Sequence, residues 1–276
     1  MRPVFKMLSV FPLWLLHAIG WAMGWVAFLS SSAYRRRFLE NVHQAGISAQ
    51  EWRPAIGEAG KLIAELPRLW LGSAAKVQWS GQQHVDQALA EGKGLIVLTP
   101  HIGSFEATAQ AYAARYGVRG HPLTVLFRPP RQSWLRELVV ASRIRPGLMT
   151  APTSLGGVKQ LIKALKSGHC IALLPDQVPP QGQGVWTSFF GRDAYTMTLS
   201  ARLALQTGAT VLVVIGQRLS WGRGYLVQVL QLPVILSDDV SQATAQINQA
   251  MELLVRRLPQ QYLWGYARYK QPRSSD

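Results

Sequence analysis

From residue 92 onward, short apolar runs alternate with amphipathic segments of helical length, and this pattern restricts the fold more than any other feature. Residues 95–98, 123–127, 170–174, 210–215 and 225–230 read as strands. Apolar residues recur at helical spacing over 104–116, 132–145, 154–166 and 198–206, and a last helix is expected over about 239–258. Strands apolar along their whole length need cover on both faces. The expected class is therefore α/β, a mostly parallel or mixed central sheet flanked by helices. Upstream, 34–45 and 52–71 also carry helical periodicity, with Pro54 acceptable in a first turn and a break expected at Pro67. The Pro/Gly-rich stretch 175–191 reads as a long loop, and loops of that length tend to be functional.

The N-terminus adds a second constraint. Residues 7–29 are 23 consecutive positions without Asp, Glu, Lys or Arg, and they include Trp14, Trp21 and Trp25. As one helix they would reach roughly 35 Å, enough to cross a hydrocarbon core. The reading is a membrane anchor over 1–30, spanning or lying in the interface, followed by one folded domain over 31–276. Arg35, Arg36 and Arg37 outweigh Arg2 and Lys6, which puts the rest of the chain on the cytoplasmic side. A secretory signal with a site near Ser31-Ser32-Ala33 and a buried core helix interrupted by Pro12, His17, Gly20 and Gly24 are the competing readings. Gly20 and Gly24 also match the GxxxG spacing of paired helices.

Charge narrows the partners. The chain carries 29 Lys and Arg against 14 Asp and Glu, a formal charge of +15, yet it is 48% hydrophobic and can bury a core. A polyanionic partner follows: nucleic acid, an anionic membrane, a phosphorylated substrate or an acidic carrier protein. The single cysteine, Cys170, excludes a disulfide framework and a Cys-cluster metal site, and its apolar strand marks it as a core residue.

The residues that carry chemistry follow strand ends. Strand 95–98 runs into Thr99-Pro100-His101-Ile102-Gly103-Ser104-Phe105-Glu106, and the reactive crevice of an open α/β sheet lies at such carboxyl ends. On one regular helix His101 and Glu106 would point about 140° apart, so they meet only if His101 stays in the turn. A carboxylate on one imidazole nitrogen would leave the other as a general base. The competing reading is a hydrogen-bonded structural histidine. Asp176 also follows a strand end, so it either faces His101 across the crevice or braces the loop after it. Arg128, Arg131, Arg136, Arg143 and Arg145 stand against one acid, Glu137. Arg136 and Arg143 share a helix face beside Val139 and Val140, suiting a ligand with phosphates and acyl chains; a solvated basic face is the alternative. Only Trp134 interleaves with these arginines, which disfavours nucleic acid. No GxSxG, HExxH, Walker loop or CxxC is present, so no metal and no protein nucleophile are expected.

Six blocks occur in order: His101 to Glu106, Phe127-Arg128-Pro129, Ala141-Ser142-Arg143-Ile144-Arg145, Leu174-Pro175-Asp176-Gln177, Phe189-Phe190-Gly191 and Gln261-Tyr262-Leu263-Trp264. Together they resemble the bacterial lipid A biosynthesis (late, lauroyl/myristoyl) acyltransferases over nearly the whole chain. The resemblance implies that 31–276 is an acyltransferase domain at the cytoplasmic face of the inner membrane. It would move a fatty acyl chain from acyl carrier protein, as co-substrate and without a cofactor, to a hydroxyl of a lipid A precursor. It also implies His101 as general base, Glu106 as its orienting partner, Arg143 at the oxyanion or a phosphate, Asp176 as a further active-site acid, and Arg128 with the substrate. Arg136 and Arg145 join Arg128 as substrate-binding candidates. The family's C-terminal block often reads Trp-x-His-Arg-Arg-Phe-Lys; here Trp264-Gly265-Tyr266-Ala267-Arg268-Tyr269-Lys270 lacks the His and one Arg. The alternatives are a lysophospholipid or amino-acid-lipid acyltransferase and, in another class, a membrane-tethered polyanion-binding protein without catalysis.

Overall fold

Leu95, Ile96, Val97 and Leu98 are all buried and form β2, the middle of a seven-stranded sheet. The structure is a computed structural model and describes residues 2–127 and 145–273. Across the sheet the order is β1 (Val77–Ser80), β9 (Tyr225–Gln231), β8 (Thr210–Arg218), β2 (Leu95–Leu98), β5 (Cys170–Leu173), β3 (Leu123–Phe127) and β4 (Leu148–Pro152). β2 runs parallel to both neighbours, β5 and β8, while β9 pairs antiparallel with β8 and parallel with β1. This is the mostly parallel α/β sheet that the apolar runs predict.

The two-residue period of β2 divides the core. Ile96 and Leu98 join one apolar layer with Leu161, Leu165, Ile247, Met251 and Leu254, from α8 (Leu155–Lys166) and α10 (Val240–Arg257). Leu95 and Val97 join the opposite layer with Val85 and Tyr112, from α6 (Gln82–Ala90) and α7 (Phe105–Arg115). Cys170 is fully buried in that second layer as a small core side chain, and burial holds its thiol well above the ordinary range. The side chains of Ser154 and Asp239 cap α8 and α10, and α9 (Leu199–Thr207) ends at a left-handed Gly208.

Several elements differ from the sequence reading. The stretch expected as a loop over 175–191 contains β6 (Gly184–Phe189), which pairs with β7 (Arg192–Met197) as a separate hairpin. Its residues alternate in exposure, so no continuous apolar run announces it. Phe190 and Gly191 both take positive φ, which suits a tight two-residue turn. β1, α6 and β4 are also additional, each too short or too polar to stand out. The helix expected over 132–145 lies outside the described residues except for Arg145, which sits in a bridge with Leu148.

The 23-residue uncharged run is two helices. α1 (Arg2–Ser9) ends before Pro12, and α2 covers Leu13–Ser30, 18 residues or about 27 Å. α3 (Ser32–Gln44) and α4 (Ala49–Ala64) follow, with α5 (Leu66–Leu71) after a break at Glu65 that places Pro67 in a first turn. Gly20 and Gly24 of α2 lie against Gly57 and Gly60 of α4 with no room for a Cβ at the crossing. The GxxxG spacing therefore serves a helix pair within the chain.

Candidate active site

The parallel register of β2 and β5 builds the site. Leu98 is paired with Leu173, so His101 and Asp176, each three residues further on, emerge side by side at the carboxyl edge of the sheet. The Asp176 carboxylate accepts twice from the same residue: from the His101 main-chain N–H at 2.9 Å and from ring Nδ1 at 2.7 Å. With Nδ1 protonated against a carboxylate, Nε2 carries the lone pair, and Nε2 has no hydrogen-bond partner among the described residues. Phe105 packs edge-on against the ring with centroids 5.2 Å apart.

Asp176 is 2% exposed. Burial pushes its carboxyl upward, but the His101 charge and hydrogen bonds, with Arg268 nearby, outweigh burial and hold it below the ordinary aspartate value. The Arg268 guanidinium is itself buried, donating to the Tyr195 carbonyl at 2.7 Å and to Thr196 Oγ1 at 2.6 Å, with its charge over the Phe189 ring. Tyr266, which stands where the family often has His, accepts the Val178 N–H at 2.9 Å two residues beyond Asp176. Asn41 of α3 donates to the carbonyls of Trp264 and Tyr266. The C-terminal block thus braces the loop that carries Asp176.

The loop bearing His101 is fixed at almost every main-chain group. The His101 carbonyl accepts from Leu263 N–H, Ile102 N–H bonds Pro100, Gly103 N–H donates to Gln261, and Ser104 N–H donates to Gly216. Gly103 has φ +56°, and a Cβ there would strike the Gly216 carbonyl, so glycine is required. Because the N–H groups of 101–104 all have partners, they are not available to an oxyanion.

Of the predicted site residues, the structure brings His101 and Asp176 into direct contact. The carboxylate on Nδ1 is that of Asp176, while Glu106, expected as the orienting partner, sits buried in the first turn of α7. Arg128, Arg136 and Arg143 lie outside the described residues. Arg145 donates to the carbonyls of Leu69 and Trp70, tying its segment to the end of α5. Among the described residues, no group of three His, Cys, Asp or Glu side chains is placed to hold a metal.

Sequence reasoning missed a buried cluster behind the loop. Glu65 accepts from Arg218, His17 and Tyr225, and Arg218 also reaches the Gly103 carbonyl. These residues come from four separate stretches, and no motif links them. Gln261 belonged to a recognised block, but its contacts are visible only in the fold.

An α/β sheet with an Asp–His pair at the carboxyl edge of its central strands presents an imidazole, oriented by a carboxylate, to a hydroxyl or water. Residues 4–271 match the family described as bacterial lipid A biosynthesis acyltransferase, and the chain belongs to that family. Among its relatives are the lipid A biosynthesis acyltransferase of Haemophilus influenzae, 28% identical over 68% of this chain and 57% of that protein, and the lipid A biosynthesis lauroyltransferase of Escherichia coli, 26% identical over 69% and 60%. The phosphatidylinositol mannoside acyltransferase of Mycobacterium tuberculosis is 28% identical over 62% of this chain and 52% of its own. The matched region covers less than two thirds of the length of each of these three relatives.

Proposed function

We propose that this chain transfers a fatty acyl group from an acyl carrier protein thioester to a hydroxyl of a phosphorylated glycolipid of the lipid A precursor type. The observation that carries the reading is His101 itself, whose ring is bonded at Nδ1 to a buried Asp176 carboxylate and whose Nε2 has no hydrogen-bond partner among the described residues. Nε2 takes the proton of the acceptor hydroxyl as that oxygen attacks the thioester carbonyl. The N–H groups of 101–104 are already committed, and the family resemblance gives Arg143 the stabilising of the resulting tetrahedral oxyanion. Its collapse expels the carrier thiolate, which takes a proton, and no covalent enzyme intermediate is required. A general base contributes about 10²–10⁴-fold. Asp176 takes the orienting role, and Glu106 lies buried in the first turn of α7.

The same reading places the protein at the inner membrane, with α2 lying in the cytoplasmic interface. At 18 residues α2 is just long and apolar enough to cross a membrane by length and composition, so its packing carries the choice. Its partner α4, packed along it, carries Arg53, Glu58 and Lys61, which a spanning α2 would draw into lipid. Trp14, Trp21, Val26 and Leu29 are exposed on α2, Val4 and Met7 on α1, and Trp221 is 88% exposed in a turn against the start of α2. An apolar face with tryptophans, flanked by Arg35 to Arg37, matches an anionic lipid interface.

The test is acyl transfer with the full chain in phospholipid vesicles, using an acyl carrier protein thioester and a panel of acceptors: a lipid A precursor, a lysophospholipid and a phosphoglycolipid. Transfer to the lipid A precursor that His101→Ala lowers by at least about 10²-fold is expected. Near wild-type turnover in His101→Ala would remove the base assignment, and preference for the lysophospholipid would reassign the acceptor.

A further inference from the structure

Behind the His101 loop, and sealed from solvent by α2 and α4, lies a group of charged side chains that the proposed chemistry does not use. Glu65 is fully buried and Arg218 is 4% exposed. Arg218 Nε donates to Glu65 Oε2 at 2.8 Å and Nη2 to Oε1 at 3.0 Å, a two-point pair, while Glu58 Oε2 lies 3.5 Å from Nη1. Glu65 Oε2 is also within 3.0 Å of the Tyr225 hydroxyl, which donates to it, and of His17 Nε2 from α2. The remaining contact faces the active site: Arg218 Nη2 donates to the Gly103 carbonyl at 2.6 Å.

Two features distinguish this arrangement from ordinary core packing. Removing two charges from water is costly, and apolar residues of similar volume often replace a buried ion pair without loss of stability. An apolar replacement could not, however, donate to the Gly103 carbonyl. The second feature is a closed ring of bonds. Gly103 N–H donates to the Gln261 carbonyl, Gln261 Oε1 accepts the Arg218 N–H at 2.8 Å, Gln261 Nε2 donates to the Arg218 carbonyl at 3.0 Å, and the Arg218 guanidinium returns to Gly103. The loop after β2, the end of β8 and the turn at Pro259–Gln261 are locked together two residues from His101.

We propose that Arg218, oriented by Glu65, is a positioning residue that holds the Gly103 carbonyl and so sets the placement of His101 Nε2 against the acceptor hydroxyl. The inference rests on His101 acting as the base. A displacement of about 1 Å at a reacting group lowers turnover by up to about 10²-fold, so the effect falls on kcat and leaves substrate affinity in place.

Charge removal and loop positioning separate in a pair of variants. Arg218→Met alone leaves Glu65 buried without its cation, so both Tm and kcat fall. In the double variant Arg218→Met/Glu65→Gln the stranded charge is gone. Its Tm is expected to recover most of the loss while kcat stays at least about tenfold below wild type, with both KM values within about twofold. Arg218→Lys keeps a cation but cannot serve both Glu65 oxygens and Gly103; kcat about fivefold or more down at unchanged KM is expected. Recovery of kcat together with Tm in the double variant, or wild-type kcat in Arg218→Lys, would overturn the positioning role. His101→Ala in the same assay separates the two ideas: if it stays active, the base assignment itself has failed.

Discussion

At Asp176 two hydrogen bonds to one residue decide what the imidazole can do. One fixes the His101 main chain and the other fixes its tautomer. Asp176→Asn keeps the shape, but its amide can offer Nδ1 a donor where an acceptor is needed. A loss of at least about 10²-fold in kcat with little change in KM is expected from steady-state kinetics in vesicles. At Gly103, alanine would meet both the positive φ and the Gly216 carbonyl, so Gly103→Ala should destabilise by about 1–3 kcal/mol in denaturant unfolding and lower turnover with it. His101 and Asp176 were both readable as residues after apolar strands. Their direct pairing depended on the β2–β5 register, which spacing along the chain does not contain.

At the scale of elements, the α2–α4 pair is the clearest case of one pattern with two physical outcomes. A run of uncharged residues with GxxxG spacing reads as a membrane helix, yet its glycines meet Gly57 and Gly60, and His17 bonds Glu65. Replacing Gly24 with Leu would insert a side chain where α4 main chain lies, and a loss of about 1–3 kcal/mol is expected in thermal unfolding. Changing Val26 and Leu29 together to Ser should leave Tm nearly unchanged while weakening sedimentation with anionic vesicles several-fold, because these side chains are exposed on α2. Unchanged vesicle binding would remove the interfacial role. The β6–β7 hairpin escaped prediction because its strands are amphipathic and short, and its Phe190-Gly191 turn lacks the usual Asn or Asp.

At the scale of the whole molecule, two carboxylates make stability depend on acidity. Asp176 and Glu65 are both fully enclosed; burial raises each, and the positive charge and hydrogen bonds around them, from His101 and Arg268 at Asp176 and from Arg218 and His17 at Glu65, outweigh it, leaving both below their ordinary values of 3.8 and 4.5. A carboxyl depressed in the folded state binds protons more readily when unfolded. Its stabilisation is complete above the ordinary value and is lost as pH falls through the folded one. Chemical unfolding at pH 7, 5, 4 and 3 should therefore show little change to about pH 5 and a steep fall below about pH 4. The sequence by itself determined the α/β class, since strands apolar throughout have no stable place but the middle of a helix-covered sheet. It also determined the basic character, the uncharged apolar N-terminal run and the His101 and Asp176 positions after strand ends. Only the tertiary structure decided that Asp176 rather than Glu106 holds Nδ1, that α2 lies along α4, and that Arg218, Glu65 and Gln261 lock the loop. Periodicity along a chain reports which face of an element is buried. Hydrogen bonds between distant stretches follow from strand order and register, which are settled only when the sheet assembles.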